Sequence, residues 1–196
     1  KELSVLADAG YKEVVLTGIE TAAYGKDLCR CNLAQLLKEA DKVKGIERIR
    51  LGSLEPTVIK DELVRTLASM KHAVPHFHLS LQSGSDSVLQ GMKRKYNTKQ
   101  FFDAITKLKE HIPDVAFTTD IIVGFPGESE EAFAETCDFV KKCGFLYVHI
   151  FPYSKRKGTP AADFPDQLTE SVKKERAAKL KEVMLETRNE VLKSFD

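Results

Sequence analysis

The chain has 196 residues, 42% hydrophobic and 30% charged, with 30 Lys and Arg against 29 Asp and Glu. Such a balance excludes intrinsic disorder and a nucleic-acid binder that relies on bulk positive charge, and the length suits one domain, 1–196, with a sizeable core. No run approaches the roughly 18 apolar residues of a membrane span, and the first residues do not read as a secretory signal.

KELSVLADAG reads as the end of a helix, so the chain looks like a segment of a longer gene product. The first predicted strand is Glu13 to Thr17, followed by a loop with Gly18 and Gly25. Asn32 is positioned to cap a helix that Gly45 ends, and the second strand is Ile46 to Leu51. Thr57 is expected to cap the next helix, and Phe77 to Leu81 to form the third strand. Ser85 and Thr98 open two further helices. The fourth strand is Val115 to Val123, Ser129 caps a helix that Gly144 ends, and the fifth strand is Tyr147 to Phe151. A long helix over about 169–196 closes the chain. Strands alternating with helices call for a parallel α/β architecture.

The strands are not apolar throughout, as doubly covered parallel strands usually are. Residues two apart share a face. Arg48 and Arg50 share one, His76, His78, Ser80 and Gln82 another, then Thr118 with Asp120, and Tyr147 with His149 and Phe151. Unpaired buried charge is costly, so this polar side must meet water, a ligand or counter-charges. A part-barrel with a polar lumen fits that pattern better than a barrel filled by apolar layers. The bland alternative is internal pairing, for instance of Arg50 with Glu55 or Asp120.

Ligands of parallel α/β proteins gather at the carboxyl ends of strands. Five polar segments rich in Gly or Pro follow the strands: TGIETAAYG, GSLEP, QSGSD, VGFPGES and FPYSKRKGTPAA. In VGFPGES, Gly124 and Gly127 flank Pro126 ahead of a helix start, a turn that offers backbone N–H groups to polar or anionic atoms. Lys93, Arg94 and Lys95 could hold a carboxylate or phosphate, or form a solvated basic face. Lys155, Arg156 and Lys157 beside Phe151 and Tyr153 combine the cations and rings that nucleic-acid contact uses. His76, His78 and His149 are weak metal candidates, because no carboxylate at a recognisable spacing completes a site. Cys29, Cys31, Cys137 and Cys143 do not make a disulfide scaffold and point to a reducing, cytoplasmic setting.

Together VVLTGI, RIRLGSLEP, HLSLQSGSDSVLQGMKRKY, TTDIIVGFPGE and FPYSKRKGTPAA resemble the radical S-adenosylmethionine methylthiotransferases over essentially the whole chain. RIRLGSLEP and FPYSKRKGTPAA look most like the branch that modifies threonylcarbamoyladenosine in tRNA. The branches acting on isopentenyladenosine in tRNA or on a ribosomal protein are the alternatives, as is a non-catalytic RNA-binding barrel. A barrel enzyme using His76, His78 and Asp120 in acid–base or metal chemistry is a further rival.

The resemblance implies a parallel part-barrel of six βα units, of which this chain would hold five strands. It implies S-adenosylmethionine and 4Fe–4S clusters as cofactors, tRNA as partner, no membrane, and a methylthio group added to carbon 2 of the modified adenine. The cluster loop CxxxCxxC is absent here, and Cys29 and Cys31 do not match it. The first strand, the cluster loop, an N-terminal domain and a C-terminal TRAM domain are therefore expected outside the chain, and the segment alone is expected to be inactive. By resemblance, Gly124, Phe125 and Pro126 and the backbone from Phe151 to Tyr153 would face the adenine of S-adenosylmethionine. Gln82, Ser83 and Asp120 would meet its ribose and amino-acid groups, Arg94 its carboxylate, and Thr17 and Gly18 its methionine moiety. Substrate adenosine would enter over Glu55 and the Lys155, Arg156, Lys157 loop.

Overall fold

Short β-branched and aliphatic runs become strands because their alternate side chains can be buried on one face. The computed structural model describes residues 1–18, 21–25 and 31–195. It holds helix α1 (Glu2–Asp8), strand β1 (Glu13–Leu16), α2 (Leu33–Ala40), β2 (Arg48–Leu51), α3 (Asp61–Ser69), β3 (His76–His78), α4 (Asp86–Gly91) and α5 (Thr98–His111). Strand β4 (Ala116–Val123), α6 (Glu130–Cys143), β5 (Tyr147–Pro152) and α7 (Glu170–Lys193) follow. The α/β class with parallel strands expected from the alternation is what forms. The chain divides into two compact units, residues 1–79 with 103–116 and residues 80–102 with 117–196.

In the first unit β1 and β2 pair in parallel, Val14 opposite Ile49, and bridges join Ile49 to Ala73 and Leu54 to Leu79. Val14, Ile49, Leu51, Phe77 and Leu79 are buried, as are Leu37, Val64, Ile105 and Leu108 of the helices. The opposite face is polar, as the alternation requires. Arg48 and Arg50 both reach Glu13, at 2.6 and 3.2 Å, and Arg50 Nη1 lies 2.9 Å from His76 Nδ1. Arg50 thus finds its counter-charge in Glu13.

In the second unit β4 and β5 pair in parallel, Asp120 opposite His149 and Ile122 opposite Phe151. Phe117, Thr119, Ile121 and Val123 are buried, whereas Thr118, Asp120 and Ile122 are only half-buried. Phe101 stands edge-on to Phe139 and to Phe145, centroids 6.1 Å apart in each case. Such ring pairs contribute about 0.5–1.5 kcal/mol each beyond their buried area.

Three local expectations need correction. Thr57 does not cap a helix: Pro56–Val58 makes a separate 3-10 turn and α3 starts only at Asp61, with Lys60 in extended geometry before it. The helix after Asn32 stops at Ala40 rather than reaching Gly45. Asp41, its C-cap, still donates its N–H to Leu37 O at 2.9 Å, and its carboxylate accepts the backbone N–H groups of Lys71 and His72, both at 3.0 Å, which ties the end of α2 to the segment after α3. Ser85 stands at the start of α4 without capping it, because its hydroxyl bonds Glu135 and Ser87. The caps that form as expected are Asn32, which makes a reciprocal box with Gln35, and Ser129, which accepts from Ala132 N; Thr169 also caps α7, accepting from Val172 N.

Candidate functional site

The second unit gathers most of the residues singled out in the sequence. Strand β4 runs out at Val123, and the chain must reverse into α6 within six residues. Gly124 and Gly127 take positive φ, 72° and 80°, which L side chains adopt only with strain. The turn is held by Glu128, whose carboxylate reaches back to the Gly124 N–H at 3.0 Å. Phe125 is buried with Val88 and Ala132 and stands edge-on to Tyr153, centroids 5.4 Å apart, and to Phe164. Tyr153 N donates to Val123 O at 2.8 Å, so the end of β5 lies alongside the entry to the turn.

Gln82 joins the same end of β4. Its N–H donates to Asp120 O at 2.8 Å and its carbonyl accepts from Ile122 N at 2.9 Å. It does so with φ at 74°, a conformation costly for a residue with a side chain and frequent at functional sites. The residues after it are locked inward. Ser83 is fully buried, its hydroxyl 3.3 Å from that of Thr136, and Gly84 N donates to Thr136 Oγ1 at 3.1 Å. Ser83 therefore turns its side chain toward α6. On the open face, Asp120 is half-buried and Phe151, opposite Ile122, is 50% exposed. Tyr147 and His149 continue that row, their rings 4.9 Å apart.

The structure thus brings together Gln82, Asp120, Gly124, Phe125, Pro126, Phe151 and Tyr153 around the carboxyl ends of β4 and β5. Arg94 is half-buried just past α4. Lys155, Arg156 and Lys157 are exposed in the loop after β5, which closes through Thr159 onto Arg156 O. Thr17, Gly18 and Glu55 belong to the first unit. Thr17 and Gly18 are exposed beyond β1, and Glu55 is half-buried ahead of the Pro56–Val58 turn.

Three residues of this region escaped the sequence reading: Glu128, Lys173 and Arg176. Arg176 Nη1 bonds Glu128 Oε1 at 2.6 Å and Glu128 O at 2.9 Å, and Nη2 reaches Glu130. Burial pushes the Glu128 carboxyl above its ordinary value, against the pull of the Gly124 N–H and Arg176. Burial also works against the Arg176 charge, but its bonds to Glu130 and Glu128 outweigh that and hold it above the usual value. The signal available was positional. Lys173, Arg176, Leu180, Val183, Met184 and Thr187 form the buried stripe of α7, and its first two members are cations where apolar residues are the rule.

No cluster-binding set assembles among the described cysteines. Cys137 and Cys143 are buried on α6, and burial raises the Cys137 thiol above its ordinary value, away from the thiolate a cluster needs. Cys31 is exposed in the first unit, and Cys29 lies outside the described residues. Among the described residues no helix is long and apolar enough to cross a membrane.

A model of the Radical SAM superfamily matches residues 1–140, and the chain belongs to that superfamily. It is 48% identical, over 98% of its length, to the threonylcarbamoyladenosine tRNA methylthiotransferase MtaB of Bacillus subtilis, of which it covers 45%. It is 43% identical, over 100% of its length, to a tRNA-2-methylthio-N(6)-dimethylallyladenosine synthase of Acetivibrio thermocellus, of which it covers 40%. The chain therefore spans less than half of these relatives. Among solved structures, coproporphyrinogen III oxidase from Escherichia coli, a radical SAM enzyme, superposes on 95% of this chain and 44% of its own with TM-score 0.67 at 15% identity. That likeness shows the fold: the parallel βα fold expected from the sequence is the one these enzymes share.

Proposed function

We propose that this chain is the S-adenosylmethionine-binding core of a tRNA methylthiotransferase that adds a methylthio group to carbon 2 of threonylcarbamoyladenosine. The observation that carries the reading is the convergence of Gln82, Asp120, the Gly124–Phe125–Pro126 turn and Phe151 on one open end of the β4–β5 pair. The donor set suits the ligand. Phe151 offers a face for a purine, the peptide edge after Ile150 offers hydrogen bonds to one, and the Asp120 carboxylate offers an acceptor for ribose hydroxyls or a partner for a sulfonium. The strained Gln82 stands at the same end, and Arg94 is the candidate for the amino-acid carboxylate.

When bound, S-adenosylmethionine with a 4Fe–4S cluster supplies the one-electron chemistry that activates an unreactive C–H position. This chain's residues bind and orient the nucleoside end of that ligand. Among the described residues Cys31, Cys137 and Cys143 do not assemble into a cluster-binding set. The Lys155, Arg156, Lys157 loop of the second unit receives the tRNA. The cytoplasm, where tRNA is modified, is the corresponding location.

The likeness to the Bacillus subtilis protein favours threonylcarbamoyladenosine over isopentenyladenosine as substrate. The test is nucleoside analysis of tRNA from cells with and without the gene. Loss of the methylthio form of threonylcarbamoyladenosine alone supports the proposal. Loss of the methylthio isopentenyl form instead would assign the chain to the other branch.

A further inference from the structure

The turn expected to face the adenine is not self-supporting. Gly124 has φ +72°, and a Cβ there would lie 2.5 Å from Lys173 Cγ. The Lys173 stem therefore fills the space over the turn. Its ammonium bonds Glu170 at 2.8 Å and stands 5.4 Å from the centre of the Tyr153 ring. One helical turn on, Arg176 donates to both the side chain and the main chain of Glu128, and Glu128 accepts the Gly124 N–H. Lys173, Arg176 and Glu128 are 4%, 5% and 4% exposed. Two cations one turn apart on α7 are thus buried with the Glu128 carboxylate, where apolar side chains would pack as well. A buried ion pair is weak evidence for stability and better suited to fixing one geometry among several.

We infer that Arg176 and Lys173 are positioning residues: through Glu128 and Gly124 they hold the Gly124–Pro126 turn and Tyr153 in the geometry that receives the adenine of S-adenosylmethionine. The inference rests on the site reading above and adds α7 to it. The bonds run from Arg176 through Glu128 Oε1 to the Gly124 amide, so a shift of α7 moves the turn directly. Phe125 and Tyr153, whose rings touch each other, would move with it.

The test uses Glu128→Gln/Arg176→Met, which removes the buried Glu128–Arg176 pair together, leaving neither charge facing a lost partner, and leaves an amide oxygen able to accept from Gly124 N–H. Val183→Ala, on the same buried stripe but away from the turn, is the control for general destabilisation. Asp120→Ala tests the site itself. The readouts are thermal midpoint, amide hydrogen exchange over residues 121–130, and S-adenosylmethionine affinity by calorimetry on the purified protein. The expected pattern is faster exchange in that segment and an affinity loss of about tenfold in the double variant, as for other residues that orient a binding group. Val183→Ala lowers the midpoint but leaves affinity unchanged, and Asp120→Ala loses binding. Should the double variant not fold, Arg176→Lys keeps the charge, loses the fork, and is expected to weaken affinity to a smaller degree. If Asp120→Ala loses binding while the α7 variants bind within twofold of wild type, the inference is overturned and the site reading stands. If Val183→Ala weakens affinity as much as the α7 variants, the role is structural only and the inference is overturned. If Asp120→Ala binds normally, the site reading fails and the inference with it.

Discussion

Gly84→Ala should be among the most damaging single-methyl additions to this protein, although its backbone is not in the left-handed region. A Cβ built there lies 2.7 Å from Thr136 Cα, 2.8 Å from Phe139 Cβ and 3.1 Å from Thr136 O. Carbon atoms need about 3.5 Å, so α6 would have to retreat by roughly 0.8 Å. That retreat stretches the Gly84 N to Thr136 Oγ1 bond and disturbs Phe139, which packs on Phe101. Overpacking of a rigid site costs about 1–3 kcal/mol, and a buried neutral hydrogen bond adds about 1 kcal/mol. The total is about 2–4 kcal/mol, a fall in Tm of about 5–15 °C for a domain of this size. Gly127→Ala is the complement: φ is +80° but nothing lies within 4 Å of the new methyl. Its cost is conformational only, about 1–2 kcal/mol. Urea or thermal denaturation of both variants separates crowding from strain. Thr136→Ser should not rescue Gly84→Ala, since the nearest atoms are Cα and the carbonyl oxygen. A Gly84→Ala variant as stable as wild type, or more stable than Gly127→Ala, would refute the reasoning.

Burial raises the Asp41 carboxyl, but the N–H groups of Lys71 and His72 and the His72 imidazole outweigh it and leave it below the ordinary 3.8. A carboxylate shifted down stabilises the fold above its unfolded value, and that contribution disappears as pH falls through the folded one. Asp41→Ala should therefore cost about 2–3 kcal/mol at neutral pH, and the gap to wild type should close in urea titrations run below about pH 4. Burial, with Arg50 and then His78 adding to it, holds His76 below its ordinary 6.5. Its ring resonances should titrate below that value by NMR, and any stability from its neutral form is present above 6.5 and lost as pH falls through the folded value. A thiol reagent should label Cys31 in the native state and spare Cys137 and Cys143, whose labelling should await unfolding. Phe151→Ala should weaken S-adenosylmethionine binding with little change in Tm, because the ring is half exposed and removing it leaves no cavity.

Much of the fold was legible because its signals are local. Alternation in RIRL, HFH and TTDIIV separates polar from buried faces whatever the strands pair with, and Asn32, Ser129 and Gly144 mark helix ends by their own backbone chemistry. Where local signals misled, a distant partner had taken over the residue. The Asp41 carboxylate at the end of α2 is held by the amides of Lys71 and His72, and Ser85 gave up its cap for Glu135. The candidate site was legible in the same measure. The glycine and proline of VGFPGES announce a turn, and the motifs together announce the family. What sits above that turn was not announced, because periodicity tells which face of α7 is buried but not what it is buried against. Glu128 and Arg176 stand 48 positions apart, and the sequence between them carries no trace of their pairing. Only the folded chain, by taking both charges out of water where neither could stand alone, decided that they meet.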